Sequence, residues 1–89
     1  MDEDALGEFG INSLSNSRLG FLIRLNQIDV RRTTHGAIAE SMGLSIFAVR
    51  TALKDLELSG FITVITSPQG VSIMIHDWVR ESINQLVHK

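Results

Sequence analysis

The chain has 89 residues, enough for one small domain with a single hydrophobic core and too few for two. Apolar residues make up 44% of it and charged residues 20%, which excludes the highly charged, apolar-poor composition of a disordered chain. It contains no cysteine, so disulfide frameworks and thiolate zinc sites are excluded, and no run reaches the roughly 18 apolar residues of a membrane span.

The net charge of -2 is unevenly placed. Asp2, Glu3, Asp4 and Glu8 all lie in the first ten residues, and without them the chain carries eight basic against six acidic side chains. Within residues 18–54 the balance is Arg18, Arg24, Arg31, Arg32, Arg50 and Lys54 against Asp29 and Glu40. The middle of the chain is therefore basic, which permits nucleic-acid binding without requiring it.

Taken from the start, residues 1–12 mix acids with Gly7 and Gly10 and show no sustained periodicity. They read as a flexible acidic leader, and residues 13–89 as one domain. The acidic start is unlike a basic secretory signal, so a cytoplasmic protein is the default expectation, associated with the nucleoid when bound to DNA. Ser13, Ser15, Asn16 and Ser17 favour a helix start, and the helix is expected to run to Asn26 or Ile28. Phe21, Leu22, Leu25 and Ile28 form its apolar stripe, with Leu19 and Ile23 beside it.

Val30–Thr33 is short and β-branched, the pattern of a single edge strand. Thr33 or Thr34 then caps a second helix ending near Met42, where Gly43 stops it and Ser45 starts the next. In this pair Ile38 and Ala39 face inward, and Leu44 is expected to plug the corner between the helices. Val49, Ala52, Leu53 and Leu56 repeat at i, i+3, i+4 and i+7, one apolar stripe over two turns. Their spacing leaves Ile46, Phe47, Arg50, Thr51 and Lys54 on the opposite, outer face, before Ser59-Gly60 closes the helix.

Phe61–Thr66 and Val71–Ile75 are β-rich runs separated by the turn sequence Ser67-Pro68-Gln69-Gly70, the signature of a hairpin. Asp77 is placed to cap a last helix whose stripe is Val79, Ile83, Leu86 and Val87, flanked by Trp78. The expected class is α+β, in the order helix, short strand, helix, helix, hairpin, helix.

Thr34-His35-Gly36-Ala37-Ile38-Ala39-Glu40-Ser41-Met42-Gly43-Leu44-Ser45, continued by Ala48 to Ile62, resembles the winged helix-turn-helix superfamily of bacterial and archaeal transcriptional regulators. The resemblance covers about the middle third of the chain strongly and the rest by element order. It implies a three-helix core, a β-hairpin wing and here an extra C-terminal helix. It further implies sequence-specific binding of double-stranded DNA, with a recognition helix at about residues 45–58 in the major groove.

Carried over by position, Ser45, Ile46, Phe47, Arg50, Thr51 and Lys54 form the reading face. Thr34 and His35 start the preceding helix, Arg31 and Arg32 are candidates for phosphate contacts, and Ser67 and Gln69 mark the wing tip. The sequence departs from the pattern in three places. Ala37 provides no capping box, Gly36 costs a helix about 1 kcal/mol relative to alanine, and the wing tip has no Arg or Lys.

No nucleophile elbow, phosphate-binding glycine loop or metalloprotease motif is present, so a non-enzymatic protein without cofactor or metal is expected. Surplus apolar residues, Ile65 and Met74 among them, point to a homodimer through the N- and C-terminal helices. A small dimeric transcriptional regulator is the leading expectation. A replication or partition accessory protein of a plasmid or phage, and a protein-interaction winged helix that never touches DNA, stand as alternatives.

Overall fold

A computed structural model describes residues 10–11 and 13–87. The described residues form four helices and a two-stranded antiparallel hairpin, an α+β arrangement compatible with a winged helix. In order they are α1 (Asn16–Leu25), α2 (His35–Met42), α3 (Ile46–Leu58), β1 (Ile62–Ser67), β2 (Gly70–Ile75) and α4 (Asp77–Val87).

Local chemistry sets most of these boundaries. Ser15, Thr34 and Ser45 cap α1, α2 and α3, their hydroxyls accepting from the backbone N–H of Arg18, Ala37 and Ala48. Between the two threonines expected at the start of α2, Thr34 takes the role. Gly43 ends α2 in the left-handed conformation, φ 67°, where a side chain would be strained. The Leu44 N–H then reaches the Ala39 carbonyl at 2.9 Å, closing the α2 terminus. Across this turn α2 and α3 bend by 105°, and among the described residues no single helix is long and apolar enough to cross a membrane.

The core forms where the apolar faces converge. Leu22 and Leu25 of α1, Ile38 of α2, Val49 and Leu56 of α3, Ile62 and Ile73 of the hairpin, and Val79 and Ile83 of α4 are all buried. Among the described residues no polar side chain is buried and none is left inside without a partner. Each fully buried aliphatic side chain in such a core contributes about 1.5–3 kcal/mol. That supply matters in a domain this small without covalent staples.

The hairpin has a regular register from Ile62 opposite Ile75 to Ser67 opposite Gly70. Its inner face is Ile62, Ile75, Ile73 and Val71, and Ile65 and Met74 lie outward, as alternation requires. Each edge of this two-stranded sheet takes hydrogen bonds from outside it. On the β1 side the Glu57 carboxylate accepts from the Val64 N–H at 2.9 Å. On the β2 side the Ile73 N–H donates to the Val30 carbonyl at 2.8 Å, while Thr33 and Val71 exchange both backbone hydrogen bonds.

Four expectations need correction. Val30–Thr33 is not an edge strand but a single bridge, Thr33 to Val71. The Asp29 carboxylate captures the Arg31 N–H and bends the chain locally, breaking the ladder before it can extend. Gly10 and Ile11 do not belong to a leader: Ile11 is buried in the core. A Cβ at Gly10 would sit 3.3 Å from the Trp78 ring and 3.4 Å from Phe61. The rest of the expected leader, residues 1–9 and 12, lies outside the described residues. Leu44 is 44% exposed and Met42 fills the corner instead. Asp77 does not precede α4 but is its first residue, and the His76 carbonyl accepts from the Val79 and Arg80 N–H groups.

Candidate nucleic-acid interface

The apolar stripe of α3 determines what its other side presents. With Val49, Ala52, Leu53 and Leu56 turned into the core, Ile46, Phe47, Arg50, Thr51 and Lys54 are all exposed. Phe47 is 80% exposed, an unusual position for a phenylalanine in a monomeric domain. Arg50 and Lys54 lie one turn apart on this face. Among the described residues neither is paired to a carboxylate.

The start of α2 borders this face. A Cβ at Gly36 would lie 3.9 Å from the Ile46 side chain, and His35 senses the charge of Arg50. Partial burial, followed by that positive neighbour, holds the His35 imidazole below its usual pKa. Thr34 and Ser45 occupy their hydroxyl oxygens as helix caps. Their remaining capacity is the hydroxyl proton, which can be donated outward.

The hairpin loop meets the chain just before α2, at Thr33 and Thr34. Ser67 Oγ accepts from the Gln69 N–H at 3.3 Å and donates to the Gly70 carbonyl at 3.4 Å, fixing the two-residue loop. A cleft of about 210 Å³ brings Arg31 and Arg32 together with Ser67, Gln69 and Gly70. The basic residues missing from the hairpin loop's own sequence are thus supplied by the segment that runs beside it. What holds them there is Gly70. Its φ is 143°, and a Cβ at this position would come within 2.5 Å of the Thr33 carbonyl oxygen.

The two arginines of this cleft differ. Arg31 forms an ion pair with Asp29 at 3.2 Å, both side chains well exposed. The hydrogen bond holds the Asp29 carboxyl below its usual range and pushes the Arg31 guanidinium up. Arg32 makes no such pair among the described residues and is the less neutralised charge.

The twelve residues expected at the interface therefore fall into two neighbouring groups. Arg31, Arg32, Ser67 and Gln69 share the cleft beside the hairpin loop. Thr34, His35, Ser45, Ile46, Phe47, Arg50, Thr51 and Lys54 lie on α3 and at the helix starts around it. Thr34 connects the groups, since its methyl lies 3.8 Å from the Cβ position of Gly70.

Sequence reasoning missed the part of the surface supplied by α1. Arg24 and Gln27 line a groove with Phe47 and Thr51. Arg18 lines it too, with its guanidinium 2.9 Å from Asp55 of α3. The signal was present as Ser17, Gly20, Arg24 and Gln27, a polar and small-residue stripe at helical spacing opposite Leu22. Comparison with protein-family models finds no match, and no curated protein is significantly similar to the chain.

Proposed function

We propose that this protein is a winged helix-turn-helix protein that binds double-stranded DNA sequence-specifically, with α3 in the major groove and no catalytic role. The observation that carries the reading is the continuity of one outward surface. It joins the outer face of α3, with Arg50 and Lys54, to the capped start of α2 and the Arg31–Arg32 cleft beside the hairpin. The 105° bend between α2 and α3 supports it, because that geometry lets the second helix protrude while the first crosses a phosphate backbone.

In this reading Arg50 contacts a base edge or phosphate, Lys54 and Arg32 contact phosphates, and Ile46 and Phe47 press on thymine methyl groups. A homodimer matches this function, since two-fold symmetry pairs with a palindromic or repeated site. It is favoured at α4, where Leu86 and Val87 are 41% and 53% exposed at the end of the helix. On α1, the other expected dimer element, Phe21, Leu22 and Leu25 are spent on the core and Ile23 is half-buried.

Titration of a fluorescent random duplex at several salt concentrations tests the reading. Affinity should fall steeply with salt. The slope of log affinity against log salt should become shallower by about one unit in each of Arg50→Ala and Lys54→Ala. Absence of binding at low salt, to both random duplex and a pool selected for binding, would overturn it. The second reading is a winged helix that binds protein rather than DNA, and the 80% exposure of Phe47 is what favours it.

A further inference from the structure

A groove of about 800 Å³ runs between α1 and α3. Its lining combines apolar side chains, among them Ile23, Leu44 and Phe47, with the cation of Arg24. Its floor is kept low by Gly20. A Cβ at Gly20 would meet nothing within 4 Å, so no packing contact demands glycine there. Glycine inside a helix nevertheless costs about 1 kcal/mol relative to alanine. The groove borders the outer face of α3 directly, because Phe47 and Thr51 belong to both.

The groove's chemistry calls for an occupant that is both apolar and acidic. The chain itself carries such a segment. Residues 1–9 contain Asp2, Glu3, Asp4 and Glu8, the apolar Met1, Ala5, Leu6 and Phe9, and no Lys or Arg. Gly10, to which the segment is joined, packs against the Trp78 and Phe61 rings, and the groove begins six residues later at Asn16. Six residues span at most about 21 Å and the eight from Gly10 back to Asp2 about 27 Å, so the acidic start of the segment reaches the groove. The turns closed by Ser13 N–H to the Gly10 carbonyl and by Leu14 N–H to the Ile11 carbonyl shorten the distance further. Covalent linkage gives such a segment an effective concentration in the millimolar range, so weak contacts suffice.

We propose that residues 1–9 dock in the α1–α3 groove, with the carboxylates of Asp2, Glu3 and Asp4 toward Arg24 and the basic face of α3. Docked there, the segment is an intramolecular competitor for any anionic ligand of α3. The competition rests on the DNA-binding reading given above; the docking does not.

The absence of cysteine allows a clean test on the full chain. A nitroxide is attached at Ala5→Cys, which preserves every charge, and paramagnetic broadening is read on backbone amides without DNA. The expected result is loss of half or more of the signal at Gly20, Ile23, Phe47 and Thr51, with little loss at Ile65 and Leu86. The broadening should be relieved by Arg24→Glu. Uniform broadening across both sets overturns the proposal. Broadening seen only between spin-labelled and isotope-labelled molecules in a mixed sample also overturns it, by assigning the groove to a second copy.

A second arm separates the two readings. Replacing all four acids together (D2N, E3Q, D4N, E8Q) should raise duplex affinity about tenfold at low salt and abolish the groove broadening. Unchanged affinity in a protein that does bind duplex overturns the competition. Absence of duplex binding in both proteins removes the DNA reading, and the paramagnetic result then decides the docking alone.

Discussion

The α2–α3 pair and the hairpin occupy adjacent stretches of chain but are held in place by different means. The helix pair is specified within itself: Thr34 and Ser45 cap the two helices, Gly43 makes the turn, and inward stripes on both helices do the packing. The hairpin forms its own register locally, but its position comes from elsewhere. Val30 and Thr33 hold its β2 edge, and Glu57 holds its β1 edge. Thr33 and Val71 are 38 residues apart in sequence, as their numbers give, and exchange backbone hydrogen bonds of 2.8 and 2.7 Å. The surface proposed to meet DNA lies across both regions, so it depends on a local and a non-local kind of order at once.

That difference is open to direct attack. The largest effect is expected at Gly70, where a methyl group would be driven into the Thr33 carbonyl. Gly70→Ala should cost about 3 kcal/mol in chemical denaturation, combining a positive φ with an overpacked backbone contact. It should also remove hydrogen-exchange protection at Thr33 and Val71 while leaving α2 and α3 protected. Equal loss of protection in the helices would erase the distinction between the regions.

A smaller and opposite lesion is Ser45→Ala. Removing the cap of α3 should cost about 1 kcal/mol, with hairpin protection lowered only as far as global stability falls. Selective loss at Thr33 and Val71 in this variant would show that the hairpin is positioned through the start of α3 rather than through its own bridges.

The smallest expected effect is on pH dependence. Burial and Arg50 lower the folded-state pKa of His35 below the ordinary 6.5. Between that lowered value and 6.5 the unfolded chain binds a proton that the folded chain resists. Stability contributed by the neutral imidazole is therefore complete above about 6.5 and declines as the pH falls through this window. His35→Asn should flatten the pH profile of the denaturation midpoint there. An unchanged profile would mean that His35 holds its proton equally well in the folded and unfolded chains.

Much of the helix pair could be read directly from residues. The cap-forming hydroxyls, Gly43 and the spacing of Val49, Ala52, Leu53 and Leu56 are short-range signals, and each fell where the structure has it. The outward set of Ile46, Phe47, Arg50, Thr51 and Lys54 followed as the complement of the stripe. Leu44 was misplaced because hydrophobicity predicts burial only on average, and Met42 fits the corner better. Ile11 was missed because one apolar residue in a polar stretch has no periodicity to reveal it. Arg24 was missed as part of a site because its groove exists only once α1 lies beside α3.

By itself, then, the sequence determined where α2 and α3 begin and end, which face of each is apolar, and where the hairpin turns. Those features depend on backbone groups and side chains within a few residues of one another. Tertiary structure alone decided that Arg31 and Arg32 flank the hairpin loop, that Glu57 and Val30 bond to the sheet edges, and that α1 opens a groove beside Phe47. These depend on which distant segments come within hydrogen-bonding reach. Only the shared core, once formed, fixes that.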